Sequence, residues 1–303
     1  LASLLSRNAG LACQVTIRSN TRALLEHYLG DRRGLRIGVL DPCAPDFLAA
    51  ARSRECRMTT IPRDPDEWAS VDFSALDEVW LANPSPVDGF FYPSTFYAKL
   101  AQLVAPHKHV RVLSDESTAI FSFNQEPPGS LRQLLGDERV SLSSSLFPLM
   151  SPQGPETCWM LRRSADGRQH CDAAGVSQED LAKAVGVVLT FLSRQGGAFG
   201  EFTRRMIALQ HGMRLLADQL KPGLTQGALE VPNWPETGFY LRLRLPRLKT
   251  LNIEENCLDL ARREGLLLVP GTLFGQPRDV AVCYAAPHPI LTDMAARILR
   301  FVL

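Results

Sequence analysis

The sequence contains no apolar run near the roughly 20 residues that a membrane-spanning helix requires, so no membrane association is expected. Its seven cysteines (13, 43, 56, 158, 171, 257 and 283) include no C-x-x-C pair. An odd, scattered set argues against a disulfide scaffold or a zinc site and for a reducing, cytoplasmic setting. Thirty-three basic and 32 acidic residues leave a net charge of +1, so no bulk attraction to nucleic acid is expected. G-x-G-x-x-G, G-x-x-x-x-G-K and G-x-S-x-G are all absent, which removes support for a Rossmann enzyme, a P-loop NTPase or an α/β-hydrolase. Of the six histidines, only His107 and His109 stand close together. Flanking Lys108 ahead of a strand, they read as solvent-facing, and no metal site is expected. The opening "LASLLSRNAGLAC" is too short and too polar for a signal peptide. Leucine rather than methionine at position 1 leads to the expectation that an N-terminal segment has been removed or is not included in this sequence. No lysine occurs between Lys108 and Lys183, and no arginine between Arg139 and Arg162.

What remains is an ordinary globular composition, 45% hydrophobic and 21% charged over 303 residues, enough for one or two domains. Leu1–Asn8 and Ser19–Leu29 read as helices, the second with Ser19 to Thr21 as candidate caps. "CQVTIRS", "LRIGVL", "CRMTTIP", "EVWLAN" and "KHVRVLSDES" read as short strands, alternating with helical "APDFLAAARSR" and "TFYAKLAQLV". Such alternation predicts an α/β sheet of largely parallel strands flanked by helices. From Ser177 a capping box opens a long helix, and 201–220 forms a second. "GFYLRLRLP", a helix stopped by Gly265, two strands ("LLLVPG" and "VAVCYA") and a terminal helix follow. We expect a large domain over 1–200 and a smaller α+β domain over 201–303. "SLSSSLFPLMSPQG", from Ser141, has the serine and proline content of a loop.

Six motifs in order then carry a resemblance: "VTIRSNTRALLEHYL", "LDPCAPDF", "LANPSPVDG", "VLSDESTAIF", "GFYLRLRL" with "LLLVPGTLFG", and "VAVCYA". Together they resemble the class I/II aminotransferases of the pyridoxal-phosphate fold-type I superfamily, over nearly the whole chain except the family's N-terminal arm. The resemblance implies that Ser19, Asn20 and Thr21 form the phosphate-cradling loop at a helix N-terminus. It implies that Asp115 faces the pyridine nitrogen and that Asn83 opens the turn beside the ring.

The same comparison exposes what is missing. The second asparagine of the family's N-P-x-N-P-T-G turn is Pro86, which has no side-chain donor. The stacking aromatic falls on Ala44, with Phe47 nearby and expected in the core; the tyrosine after D-E-x is Thr118. The S-x-S-K signature places Ser144 at the Schiff-base lysine, and a hydroxyl cannot form an imine. Lys183 reads as a solvated helix residue. The substrate-carboxylate arginine aligns with Ala281, with Arg278 three residues earlier.

These changes imply a degenerate, aminotransferase-like protein that has lost pyridoxal-phosphate-dependent transamination and binds no cofactor. It would be a pseudoenzyme, or a cleft repurposed for other chemistry through Cys43, Cys283, Asp115, Glu116 or the Ser143–Ser145 run. The alternative keeps pyridoxal phosphate, held non-covalently by Asp115 and Ser19–Thr21, in an enzyme acting on an amino acid or amine. The resemblance further implies a homodimer through the large domain, or a heterodimer with an active paralogue.

Overall fold

A computed structural model describes residues 13–118, 131–145, 157–164, 168, 170–182, 186, 197–246 and 252–303. Two compact units divide them. The first takes in the described residues up to Asn83, those from Tyr92 to 118 and those from 131 to 202; the second takes in Pro84–Phe91 and Thr203–Leu303. The expected helix at Leu1–Asn8 and the residue Lys183 lie outside the described residues.

The first unit is built on an eight-stranded sheet. Its strands are β1 (Cys13–Arg18), β2 (Arg36–Leu40), β3 (Arg57–Ile61), β4 (Glu78–Ala82), β5 (Arg111–Asp115), β6 (Val140–Ser145), β7 (Cys158–Arg163) and β8 (His170–Asp172). They lie in the order β3-β2-β4-β5-β6-β7-β1-β8, and β7 alone runs against the others. The helices are α1 (Thr21–Leu29), α2 (Pro45–Ser53), α3 (Ser94–Val104) and α4 (Leu131–Leu135). Parallel strands buried on both faces need near-continuous apolar sequence. β4 supplies it, with every residue buried.

The serine run departs from its loop-like composition. Ser141–Ser145 is a strand, hydrogen-bonded to β5 on one side and β7 on the other. β7 and β8 also escape a reading by apolar runs, because arginine, histidine and aspartate interrupt them.

Helix starts follow local chemistry. Asn20 caps α1 by accepting the Ala23 N–H through Oδ1 at 2.7 Å, and Pro45 opens α2 at a position where no N–H is needed. α1 and α2 lie over one sheet face, on a core that includes Leu24, Leu25, Phe47, Ile37, Leu113 and Met160. Trp80 stands at its centre with no exposed surface, edge-on to Phe47 (5.4 Å) and Tyr28 (6.3 Å). Its Nε1–H donates to Glu78 Oε2 at 2.6 Å. The opposite face packs Val15, Ile17 and Leu161 against Leu142, Val176 and Leu181. Ser177 begins the helical turns at 178–182, its hydroxyl accepting the Asp180 N–H at 3.0 Å.

The second unit has a three-stranded antiparallel sheet, β10 (Val269–Pro270), β11 (Asp279–Cys283) and β9 (Tyr240–Arg244) in that order. "LLLVPG" thus contributes only a two-residue strand. Helix α5 (Gly197–Thr225) is longer than its apolar pattern suggests, and it contains Gly212 because a Cβ there would meet the Tyr284 carbonyl at 2.6 Å. Helix α6 (Ile253–Glu264) is capped by Asn252, carries Glu254 and Glu255 in its first turn, and stops at left-handed Gly265. Helix α7 (His288–Val302) closes the chain.

The 84–91 segment is tied firmly into this unit. Gly89 has φ +63°, and a Cβ would sit 2.0 Å from the Thr237 carbonyl oxygen, so only glycine fits. Arg242 extends from β9 towards Asp88 Oδ2 (3.5 Å) and Asp279 Oδ2 (3.6 Å), both carboxylates having no exposed surface. Arg244 completes the group by donating to Asp279 Oδ1 at 2.8 Å.

Candidate functional site

Because β1, β2, β4, β5 and β6 run the same way, their carboxyl ends share one edge of the first unit's sheet. Ligands of open α/β sheets bind at that edge. Asp115 ends β5 there and is buried. Its Oδ1 accepts the Ser117 hydroxyl (2.6 Å), the Ser143 hydroxyl (3.2 Å) and the Ser117 N–H (3.3 Å). Burial pushes the Asp115 carboxyl up to about 6 despite these bonds. Burial, and then the Asp115 charge, push neighbouring Glu116 up to about 7. Two adjacent carboxyls thus titrate near neutrality, with no cation bonded to Asp115 among the described residues.

The strand's alternation sorts the serines. Ser143 pairs in register with Asp115 and shares its face, as do Ser141 and Ser145. Ser144 points to the other face with Leu142, and sits opposite Trp159 of β7. Ser144 is therefore not brought to Asp115. Residues 146–156, which include the remainder of the serine- and proline-rich stretch, lie outside the described residues.

Asn83 follows β4 and has no exposed surface. Its N–H donates to the Asp115 carbonyl (2.9 Å), and its Oδ1 accepts the Tyr92 N–H (3.0 Å). The side-chain oxygen is therefore spent on chain geometry. Ser19, Asn20 and Thr21 lie past the end of β1, half-buried, with the Asn20 carboxamide engaged in capping and Thr21 Oγ1 3.4 Å from Cys158 Sγ. Ala44 caps α2 and Phe47 is packed on Trp80, so neither presents an aromatic face at this edge.

Burial raises the Cys43 thiol to about 12 and also raises Cys283, so both are protonated at neutral pH and poor nucleophiles. In the second unit, Ala281 is buried opposite Arg242 in the β9–β11 register, while Arg278 is exposed. One contributor escaped sequence reading, Ser117. Ser143 was singled out only within the Ser143–Ser145 run, and treating Ser141, Ser143 and Ser145 as an alternating strand face would have separated it from Ser144.

The raised carboxyls give a pH signature. Their folded-state pKa values exceed the ordinary 3.8 and 4.5, so the folded state holds more protons between those values and about 6 to 7. Stability from these two groups is therefore lost as pH rises through that window. Replacing both with Asn and Gln should raise the unfolding free energy relative to the parent, increasingly from about pH 4 to pH 7, by roughly several kcal/mol, and the melting temperature with it. A pH-independent difference would contradict the burial of these charges.

No protein-family model matches the chain. No curated protein matches it either. Solved structures do. An aspartate aminotransferase from Rhodobacter sphaeroides superposes with TM-score 0.76 at 18% identity, over 100% of this chain and 80% of the other. An aromatic aminotransferase from Pyrococcus horikoshii gives 0.78 at 13%, over 99% and 84%. The kynurenine aminotransferase of Pyrococcus horikoshii, solved with PMP, gives 0.76 at 14%, over 99% and 78%. Among the described residues, no helix is long and apolar enough to cross a membrane. At these identities the likeness establishes one thing: this chain has the α/β fold of the aminotransferases, a mostly parallel sheet flanked by helices.

Proposed function

We propose that this protein is an aminotransferase-like pseudoenzyme, whose strand-end edge no longer performs pyridoxal-phosphate chemistry. One observation carries the reading: the chain has no lysine from residue 109 to 182, and β6 ends in serines. Bound pyridoxal phosphate would supply an electron sink for an amino-acid α-carbon. The residues present do not fit it. No lysine amine is available within that stretch to hold the aldehyde, Asn83 has no exposed surface and its Oδ1 is taken by the Tyr92 N–H, and the turn's second position is Pro86. Asp115 Oδ1 accepts two hydroxyls and an N–H, which hold the carboxyl in place without a pyridine partner. The Ser19–Thr21 loop keeps a helix N-terminus suited to an anion, but among the described residues Ala44 stands where the resemblance placed the stacking aromatic.

In this reading the protein acts as a binding or structural partner, pairing with a second copy through its larger unit in the cytoplasm. Thermal melting tests cofactor binding. Pyridoxal phosphate should raise the melting temperature no more than the same concentration of inorganic phosphate does. A shift specific to pyridoxal phosphate would favour non-covalent retention through Asp115. Sedimentation should show a dimer; a monomer at all concentrations would remove the pairing.

A further inference from the structure

We propose that the amino edge of the first unit's sheet carries an oxyanion site, in which Arg162, flanked by Arg32 and Arg111, holds a phosphate group. This edge lies at the opposite ends of the strands from Asp115. Arg111 and Glu78 begin β5 and β4 and pair in register, while Arg162 pairs with Gln14 near the start of β1. Alternation puts Arg162 on the face of Cys158 and Met160, and Arg111 on that of Leu113, the face covered by α1 and α2. Two strand spacings, about 10 Å, separate β5 from β7. Arginine side chains reach across such a gap, and β6 places only small, buried Ser141 on that face between them.

The ring of Tyr28 lies beneath. Arg32 stands over it at 4.9 Å and Arg162 at 5.7 Å. The Tyr28 hydroxyl is buried, near Arg32 and Ser141 but in hydrogen-bond geometry with neither. Arg32 pairs with Glu78, Arg111 starts the strand beside it, and Arg162 feels the charge of all three; the Glu78 carboxylate is already taken by Arg32 and by Trp80 Nε1. Arg162 makes one long hydrogen bond, to Gln14 Oε1 at 3.4 Å. Its burial, together with the charges of Arg32 and Arg111, holds its pKa below the usual arginine value, although the nearby Tyr28 and Glu78 act the other way.

A half-buried, like-charged guanidinium with most of its donors uncommitted is stabilised by an anion. Its planar fork matches the oxygens of phosphate. The two charges left after Glu78 neutralises one arginine suit a dianion. Inorganic phosphate and a phosphomonoester share this chemistry.

The test is calorimetric titration of the whole chain with inorganic phosphate, and separately with glycerol phosphate, in chloride buffer of constant ionic strength. We expect saturable binding of one phosphate per chain. Arg162→Gln should weaken it about tenfold to a hundredfold, and Arg162→Lys, which keeps the charge without the fork, should weaken it less. Arg163→Gln removes the same charge from an exposed neighbour paired with Glu138, and should leave binding unchanged. Either order of affinity for the two ligands supports the site and identifies its source. No saturable binding, or equal losses in Arg162→Gln and Arg163→Gln, would overturn the proposal. Because pyridoxal phosphate is itself a phosphomonoester, its melting shift is measured in Arg162→Gln as well: a shift that survives there belongs to the other edge of the sheet, so the two readings can fail separately.

Discussion

Replacing Arg242 with alanine should destabilise the protein by about 3–5 kcal/mol, the cost of breaking a buried ion pair by removing one partner. Arg242 is itself buried and lies between Asp88 and Asp279, neither of which has any exposed surface. Without the guanidinium, two fully buried carboxylates lose a shared cation, and Arg244 reaches only Asp279. Adding Asp88→Asn should recover part of the loss, because the amide needs no counter-charge. The double variant should then be less destabilised than the sum of the two singles. Denaturant unfolding of the four proteins checks this. Strict additivity would mean that Arg242 and Asp88 are not coupled. The result also bears on function. Arg242 pairs in register with Ala281, where the resemblance placed a substrate-binding arginine, and a strong coupling to Asp88 would mark Arg242 as holding the 84–91 turn.

Trp80→Ala should cost a similar amount, about 3–5 kcal/mol, for a different reason. Trp80 fills the space between β4, α1 and α2, where Tyr28 and Phe47 meet it edge-on. Deleting the indole leaves a cavity and removes the N–H that Glu78 accepts. Trp80→Phe, which keeps most of the apolar volume, should lose less. Urea unfolding at neutral pH would separate the two variants, and an equal loss in both would indicate that the hydrogen bond to buried Glu78 dominates.

Much of the fold was legible in the sequence, because most elements obey simple rules. The apolar runs at β2 and β4, Asn20 ahead of α1, and Gly265 after α6 each declare their element through local chemistry. The serine run did not. Val140–Ser145 is a strand because β5 and β7 supply its hydrogen bonds, and its side chains stay polar because Ser143 serves Asp115. β7 was hidden for a related reason, since Arg162 and Arg163 sit at the sheet's edge. Nor does any sequence pattern show that 84–91 packs with the second unit. That depends on Gly89 meeting Thr237 and on Asp88 approaching Arg242, contacts separated by some 150 residues of chain. At the candidate site, the sequence located Asp115 at a strand end. It could not show that Asn83 is buried with its Oδ1 on the Tyr92 N–H or that Ser144 faces away, because both follow from tertiary packing and strand pairing.

The central claim is that no amine at the carboxyl edge captures an aldehyde cofactor. The direct measurement is the visible absorption spectrum of the protein mixed with pyridoxal phosphate, followed by borohydride reduction and mass mapping. We expect no internal-aldimine band and no single modified lysine. A stable band, fixed by borohydride at one lysine, would contradict the claim and restore an imine-forming enzyme.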